Sequence, residues 1–134
     1  MANAVYPKFK EALIDASSNV DLNDGTVKVA LVDTGTYAYN AAHDFYDDVS
    51  AGVVGTPQTI ANTTVTNGLL DGDDVTFSAL SGATVEALVI YIDTGVAGTS
   101  RLVAYIDTGV TGLPLTPSGT DVTLLWNASG IVQF

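Results

Sequence analysis

The sequence lacks cysteine entirely, which excludes a disulfide framework, a thiolate nucleophile and a cysteine-ligated metal. It has a single histidine, His43, so a histidine-rich metal site is excluded as well. Cationic residues are few, because four Lys and Arg stand against fifteen Asp and Glu and leave a formal charge of −11. That charge opposes binding to nucleic acid and to anionic lipid. We therefore expect neither nucleic acid nor a membrane surface as a partner.

Long hydrophobic runs are also missing. The chain is 47% hydrophobic with a mean hydropathy of +0.33, yet its longest apolar run, residues 87–92, falls far short of the roughly 20 residues of a membrane span. Residues 1–12 contain no apolar segment typical of a signal peptide, so we expect a cytosolic origin. A length of 134 residues without an evident linker predicts one domain covering residues 1–134.

Glutamate is scarce, since Glu11 and Glu86 are the only two, whereas Val, Thr, Gly, Ala and Asp are abundant. This composition favours strands joined by Asp/Gly turns over helices. We therefore predict a mainly β fold, a single-domain antiparallel β-sandwich or open barrel with one N-terminal helix. In this prediction residues 1–17 form the helix or an N-terminal arm, and residues 26–134 form the β core.

Local patterns place the elements of this fold. Pro7, followed by apolar residues at helical spacing, predicts a helix that ends near Ser17. Alternating residues predict a strand at 26–33, and residues 41–49 are interpreted as a loop with one helical turn. Further strands are predicted at residues 58–66, 74–79, 85–93, 101–107, 121–126 and 131–134, with Asn67-Gly68 as a turn between two of them.

The tripeptide Asp-Thr-Gly occurs three times, beginning at Asp33, Asp93 and Asp107. In aspartic proteases this tripeptide follows two apolar residues, and two such aspartates share one proton. A strand that ends in Asp-Thr-Gly is equally explained by a turn, because the carboxylate bonds the backbone and glycine tolerates positive φ. Since this explanation covers all three copies, we interpret them as turns and expect no catalytic residue and no enzymatic activity.

Two acidic segments, residues 19–25 and 71–74, offer the oxygen ligands that calcium prefers. Neither has the spacing of a known calcium loop. In the first segment, for example, Ala30 occupies the position where a bidentate glutamate is required. We interpret both segments as solvated turns, and we expect neither a metal nor a cofactor.

Aromatic residues in the first third of the chain are the candidate partner interface. Tyr37, Tyr39 and Tyr46 form a local group suited to a contact surface, although tyrosines also pack readily on a sheet. The segment through Tyr6 and Phe9 fits a docking arm that becomes ordered on a partner, or alternatively a helix that caps its own sandwich. These five residues are our predicted interface, and both alternatives stay open.

Four blocks of the sequence resemble small virion structural proteins of tailed bacteriophages: AVYPKFKEAL at residues 4–13, GTVKVALVD at 25–33, AAHDF at 41–45, and residues 87–119. The resemblance spans nearly the whole chain and contains no reactive signature. It implies a virion protein made in the host cytoplasm, and within that class a head decoration (cement) protein. Such a protein lies on the outer surface of the head, contacts the major capsid protein or other virion proteins, and forms a homo-oligomer, with a trimer favoured.

Two rival functions stay open. A tail, neck or baseplate component would have the same composition. A module that binds carbohydrate or a host surface would use the tyrosines and Trp126 as a stacking platform.

Overall fold

A five-stranded antiparallel sheet lies at the centre of the computed structural model, which describes residues 3–134. Its three middle strands are almost continuous apolar runs and are buried along nearly their whole length. A strand reads this way when both faces of its sheet are covered. The strands lie in the order β1 (Ala4–Val5), β8 (Arg101–Ile106), β7 (Ala87–Asp93), β2 (Thr26–Val32) and β3 (Val53–Thr59).

Two smaller sheets complete the β structure. One contains β10 (Val132–Gln133), β5 (Leu69–Asp71) and β4 (Thr64–Thr66), and the other pairs β6 (Val75–Phe77) with β9 (Val122–Leu124). Buried side chains from both small sheets join the main sheet in one hydrophobic cluster. Across residues 3–134 the fold is therefore mainly β and antiparallel with one α-helix, as predicted, and it is consistent with a single-domain sandwich or open barrel.

The helix α1 (Pro7–Ile14) follows directly on the edge strand β1. The backbone N–H of Tyr6 donates to the Val103 carbonyl at 2.9 Å, and the helix then packs against β8. Pro7 occupies the first turn, where its missing N–H costs nothing. The helix ends at Ile14, slightly before the predicted end near Ser17, because Ala16 takes a positive φ of 52°.

The predicted strand at residues 58–66 is wrong in its bounds. The structure divides this region between β3, which begins at Val53, and β4, which begins at Thr64. The short strands β1 and β5 were not predicted. The turn at Asn67-Gly68 is confirmed, since both residues have positive φ (53° and 76°) and the flanking Thr66 and Leu69 are paired.

Both edges of the main sheet are interrupted. At one edge β1 has only two residues and is followed by the helix. At the other edge β3 contains Gly55, with a φ of 71°, and Pro57. The pairing of β3 with β2 shifts between Val54 and Gln58, so the intervening residues form a bulge.

Candidate functional site: a partner-binding surface

Three of the aromatic residues singled out from the sequence lie in a hydrogen-bonded chain. The Tyr6 and Tyr37 hydroxyl oxygens are 2.9 Å apart, and the Tyr37 hydroxyl lies 2.8 Å from Nδ1 of His43. Tyr6 is fully buried and Tyr37 is 4% exposed, so water does not compete for these hydrogen bonds. Burial raises the pKa of both tyrosines above its ordinary value, which keeps them neutral.

Ring contacts extend this aromatic group across one face of the main sheet. Tyr39 lies between Tyr6 and Tyr105, with ring centroids 5.2 and 5.4 Å away. Tyr46, in the 3₁₀ turn of residues 46–48, packs on Tyr91 at 4.6 Å. Burial also raises the pKa of Tyr46, Tyr91 and Tyr105. The loop that carries these tyrosines therefore covers the sheet, and the turn predicted within residues 41–49 is confirmed.

The predicted interface needs a correction at three positions. Tyr6 and Phe9 have no exposed surface and Tyr37 almost none, so their side chains belong to the core of the chain itself. The N-terminal helix thus covers its own sheet, and its inward face is not available to a partner. Residues 1 and 2 of the predicted arm lie outside the described residues. Tyr39 and Tyr46 are half-buried, and their role at an interface stays a prediction.

Two of the Asp-Thr-Gly tripeptides form the turns expected of them. One carboxylate oxygen of Asp33 accepts from the Gly35 N–H at 2.9 Å, and one of Asp93 accepts from the Gly95 N–H at 3.0 Å. Asp93 pairs with the first residue of β2, whereas Asp33 follows the last, so they lie at opposite ends of a seven-residue strand. This separation, on the order of 20 Å, does not allow them to share a proton.

Further contacts hold the second and third tripeptides in place. Lys28 lies 2.9 Å from Asp93, and this cation together with the Gly95 N–H holds the pKa of Asp93 below its ordinary value. In the third tripeptide, the backbone N–H groups of Asp107 and Thr108 donate to Oδ1 of Asn3 at 2.7 and 3.0 Å. The three tripeptides therefore terminate strands of the main sheet, each through its own hydrogen bonds.

The first acidic segment closes a turn, whereas the second is the short link between β5 and β6 and forms no turn. Asp21 accepts from the N–H groups of Asn23 and Asp24 at 2.8 and 2.9 Å, which lowers its pKa. In the other segment, Asp73 accepts from the Asn62 side chain at 2.6 Å. Within residues 3–134, no group of three or more His, Asp or Glu side chains is arranged to hold a metal ion.

An apolar groove lies beside the outer side of α1, and no motif in the sequence indicated it. It has a volume of about 300 Å³ and brings together α1, the loop that follows it, the β4–β5 turn and the C-terminal residue. Three of its side chains are exposed although they are large and apolar: Leu13 (43%), Val65 (44%) and Phe134 (40%). Ile14, next to Leu13, is 84% exposed. The lining consists of Phe9, Leu13, Val20, Asp21, Leu22, Asn23, Val65, Gly68 and Phe134.

The floor of this groove consists of packed side chains. Phe9 is fully buried beneath it, and its ring centroid lies 5.9 Å from that of Phe134. Val65 sits on a hairpin whose two strands are in register, with Leu70 buried opposite it. Contiguous exposed apolar surface is one of the marks of a protein-binding site. We call this surface, comprising the groove and the adjoining Ile14, the α1 patch.

A second crevice contains Trp126 and differs in character. Its lining includes the polar side chains of Asn3, Thr108 and Gln133, and no tyrosine. The indole N–H of Trp126 donates to the Asp73 carbonyl at 2.9 Å, so its polar atom is already engaged. The predicted stacking platform of tyrosines and Trp126 is therefore not assembled in one place.

Comparison with protein-family models finds no matching family, and comparison with curated proteins finds no significant relative. The one α-helix among the described residues is eight residues long. No helix in this part of the chain has the length and apolar character needed to cross a membrane.

Proposed function

We propose that this chain is a structural subunit of a tailed-bacteriophage virion and serves as a head decoration (cement) protein on the outer capsid. The observation that carries the proposal is the α1 patch, an exposed apolar surface on a rigid β scaffold. It supports a role in binding other proteins. The sequence blocks that resemble small virion proteins support the same class.

The charge of the chain favours the outside of the head over its DNA-filled interior. At −11, the protein would be repelled by packaged DNA within a Debye length of about 8 Å. On the outer surface the same charge faces solvent and opposes non-specific clumping of particles. The major capsid protein, or another virion protein, is the proposed partner, and the virion surface is the proposed location.

The proposed mechanism involves no chemical step. Each copy would bury apolar area against neighbouring subunits, and the copies would also contact one another as a homo-oligomer. Many modest contacts held by the symmetry of the lattice would then add up to a more stable shell. The buried tyrosine layer and the continuous core suit this role, because a cement must resist deformation while transmitting force between its neighbours.

The test is electron cryo-microscopy of a purified particle that contains this chain. Density of matching shape that bridges capsid subunits on the outside of the head is the expected result. Density at the tail, neck or baseplate would replace the decoration role by the rival structural role. Absence of the chain from the particle, checked by mass spectrometry of its peptides, would refute the virion proposal altogether.

A further inference from the structure

The α1 patch has two complementary parts that lie side by side. One part is the groove, and the other is the protruding Ile14, the most exposed of the six large apolar side chains exposed within residues 3–134. Ile14 does not line the groove of its own chain, although its neighbour Leu13 does. An unrelated partner would need only the groove, whereas a second copy of this chain would use the groove and the protrusion together.

Charge at the α1 patch also favours a second copy. Within the described part of the chain, Lys10 is the one cationic side chain with no ion-pair or hydrogen-bond partner: Lys8 pairs with Glu11, Lys28 pairs with Asp93, and Arg101 donates to the Ser18 carbonyl. Lys10 stands one helical turn before Ile14 and on the same face of α1.

The opposite charge lies in the lining of the groove. Asp21 contributes to the lining of the groove, and its hydrogen bonds from the loop backbone keep its carboxylate ionised. A second copy that seats its Ile14 in the groove would also bring its Lys10, on the same face of α1, toward Asp21 of the groove lining. A contact of this kind reduces, at this one place, the repulsion between two chains that each carry a formal charge of −11.

We infer that the α1 patch is the surface on which the chain binds a second copy of itself, with Ile14 of one copy seated in the groove of the next. The inference gives a location to the homo-oligomer within the proposed function, but it concerns the purified chain alone. A two-fold pair would bury two identical patches, and a closed ring would bury each protrusion in the following groove. Both arrangements use the same residues.

The test is the mass of the purified full chain by light scattering and sedimentation velocity over a wide range of concentration. Wild-type protein should form a species of at least twice the 13.8 kDa chain mass. Ile14→Asp should weaken its formation at least tenfold, and Lys10→Glu should weaken it by a smaller factor that shrinks in high salt. Val96→Asp is the matched control, because Val96 is also apolar and 60% exposed but does not belong to the α1 patch.

Circular dichroism and the melting temperature show whether each variant is folded. Ile14 is so exposed that its replacement should leave the fold intact. Val65→Asp is a second test of the α1 patch, because Val65 belongs to β4 and not to α1. A wild-type chain that stays monomeric at every concentration would overturn the inference, and so would an oligomer that Ile14→Asp and Val65→Asp leave unchanged. Either result leaves the virion proposal to be decided separately by microscopy.

Discussion

Removing the hydroxyl of Tyr37 should destabilise the protein more than removing that of Tyr6, although the two hydroxyls bond each other. Tyr37 is the middle member of the hydrogen-bonded series, and its hydroxyl bonds both Tyr6 and His43. In Tyr37→Phe, the fully buried Tyr6 hydroxyl loses its partner, and its desolvation is no longer compensated. A buried polar group left in this state costs about 2 kcal/mol.

The reverse variant is milder for a structural reason. In Tyr6→Phe, the Tyr37 hydroxyl keeps its hydrogen bond with His43, so we expect a loss of about 1 kcal/mol. The double variant should cost less than the sum of the two, by about 1 kcal/mol, because the unpaired Tyr6 hydroxyl is then absent.

Urea unfolding measures these differences. With a denaturant dependence of about 2 kcal/mol per molar, Tyr37→Phe should lower the midpoint by about 1 M. Tyr39→Phe is the control, since its ring belongs to the same group but its hydroxyl forms no hydrogen bond with residues 3–134. The reasoning fails if Tyr37→Phe is no more destabilising than Tyr39→Phe, or if the double variant is simply additive.

Three further predictions concern the sheet and its turns. Burial raises the pKa of Tyr91. The contribution of this residue to stability should therefore be complete below about pH 10 and decline above it, by up to about 1.4 kcal/mol per pH unit. Urea titrations at rising pH should show a shallower decline in Tyr91→Phe than in the wild type. Gly55→Ala should destabilise the protein by at least about 1 kcal/mol more than Gly109→Ala. Both glycines have positive φ, but only at Gly55 would the new methyl group meet a side chain, that of Leu80 at 2.7 Å. Equal melting temperatures of the two variants would contradict the prediction. Asp93→Asn should lower the free energy of unfolding by about 1–2 kcal/mol near neutral pH. Because the pKa of the Asp93 carboxyl is lowered in the folded protein, the stability advantage of the wild type should vanish as the pH falls through that pKa. A stability difference that does not change with pH would contradict this role of the carboxylate.

The main sheet was predictable where local pattern and burial agree. Residues 26–33, 85–93 and 101–107 are apolar runs of strand length, and they form its three middle strands. The start of β3 was missed because Gly55 and Pro57 are typical of loops, and only an edge strand with a bulge accommodates both. Strands of two or three residues carry too little pattern to be recognised.

The candidate site was less predictable because residues far apart in the sequence assemble it. Tyr6, Tyr37 and Tyr39 do lie in one aromatic group, but the hydrogen bond from the Tyr6 N–H to the Val103 carbonyl turns the N-terminal segment inward. The α1 patch combines Leu13, Val65 and Phe134, which have no common spacing or motif. Only the packing of α1 beside the β4–β5 hairpin brings them together.

The interrupted edges of the main sheet limit how copies of this chain can join when they are crowded. An open edge strand invites addition of a neighbour's strand, and such addition continues without end because every new copy presents another edge. Here the short β1 and the bulge at Gly55 and Pro57 in β3 deprive an incoming strand of a continuous row of hydrogen-bonding groups. Association is thereby left to side-chain surfaces. Where these close into a two-fold pair or a ring, high local concentration should yield assemblies of finite size instead of fibres.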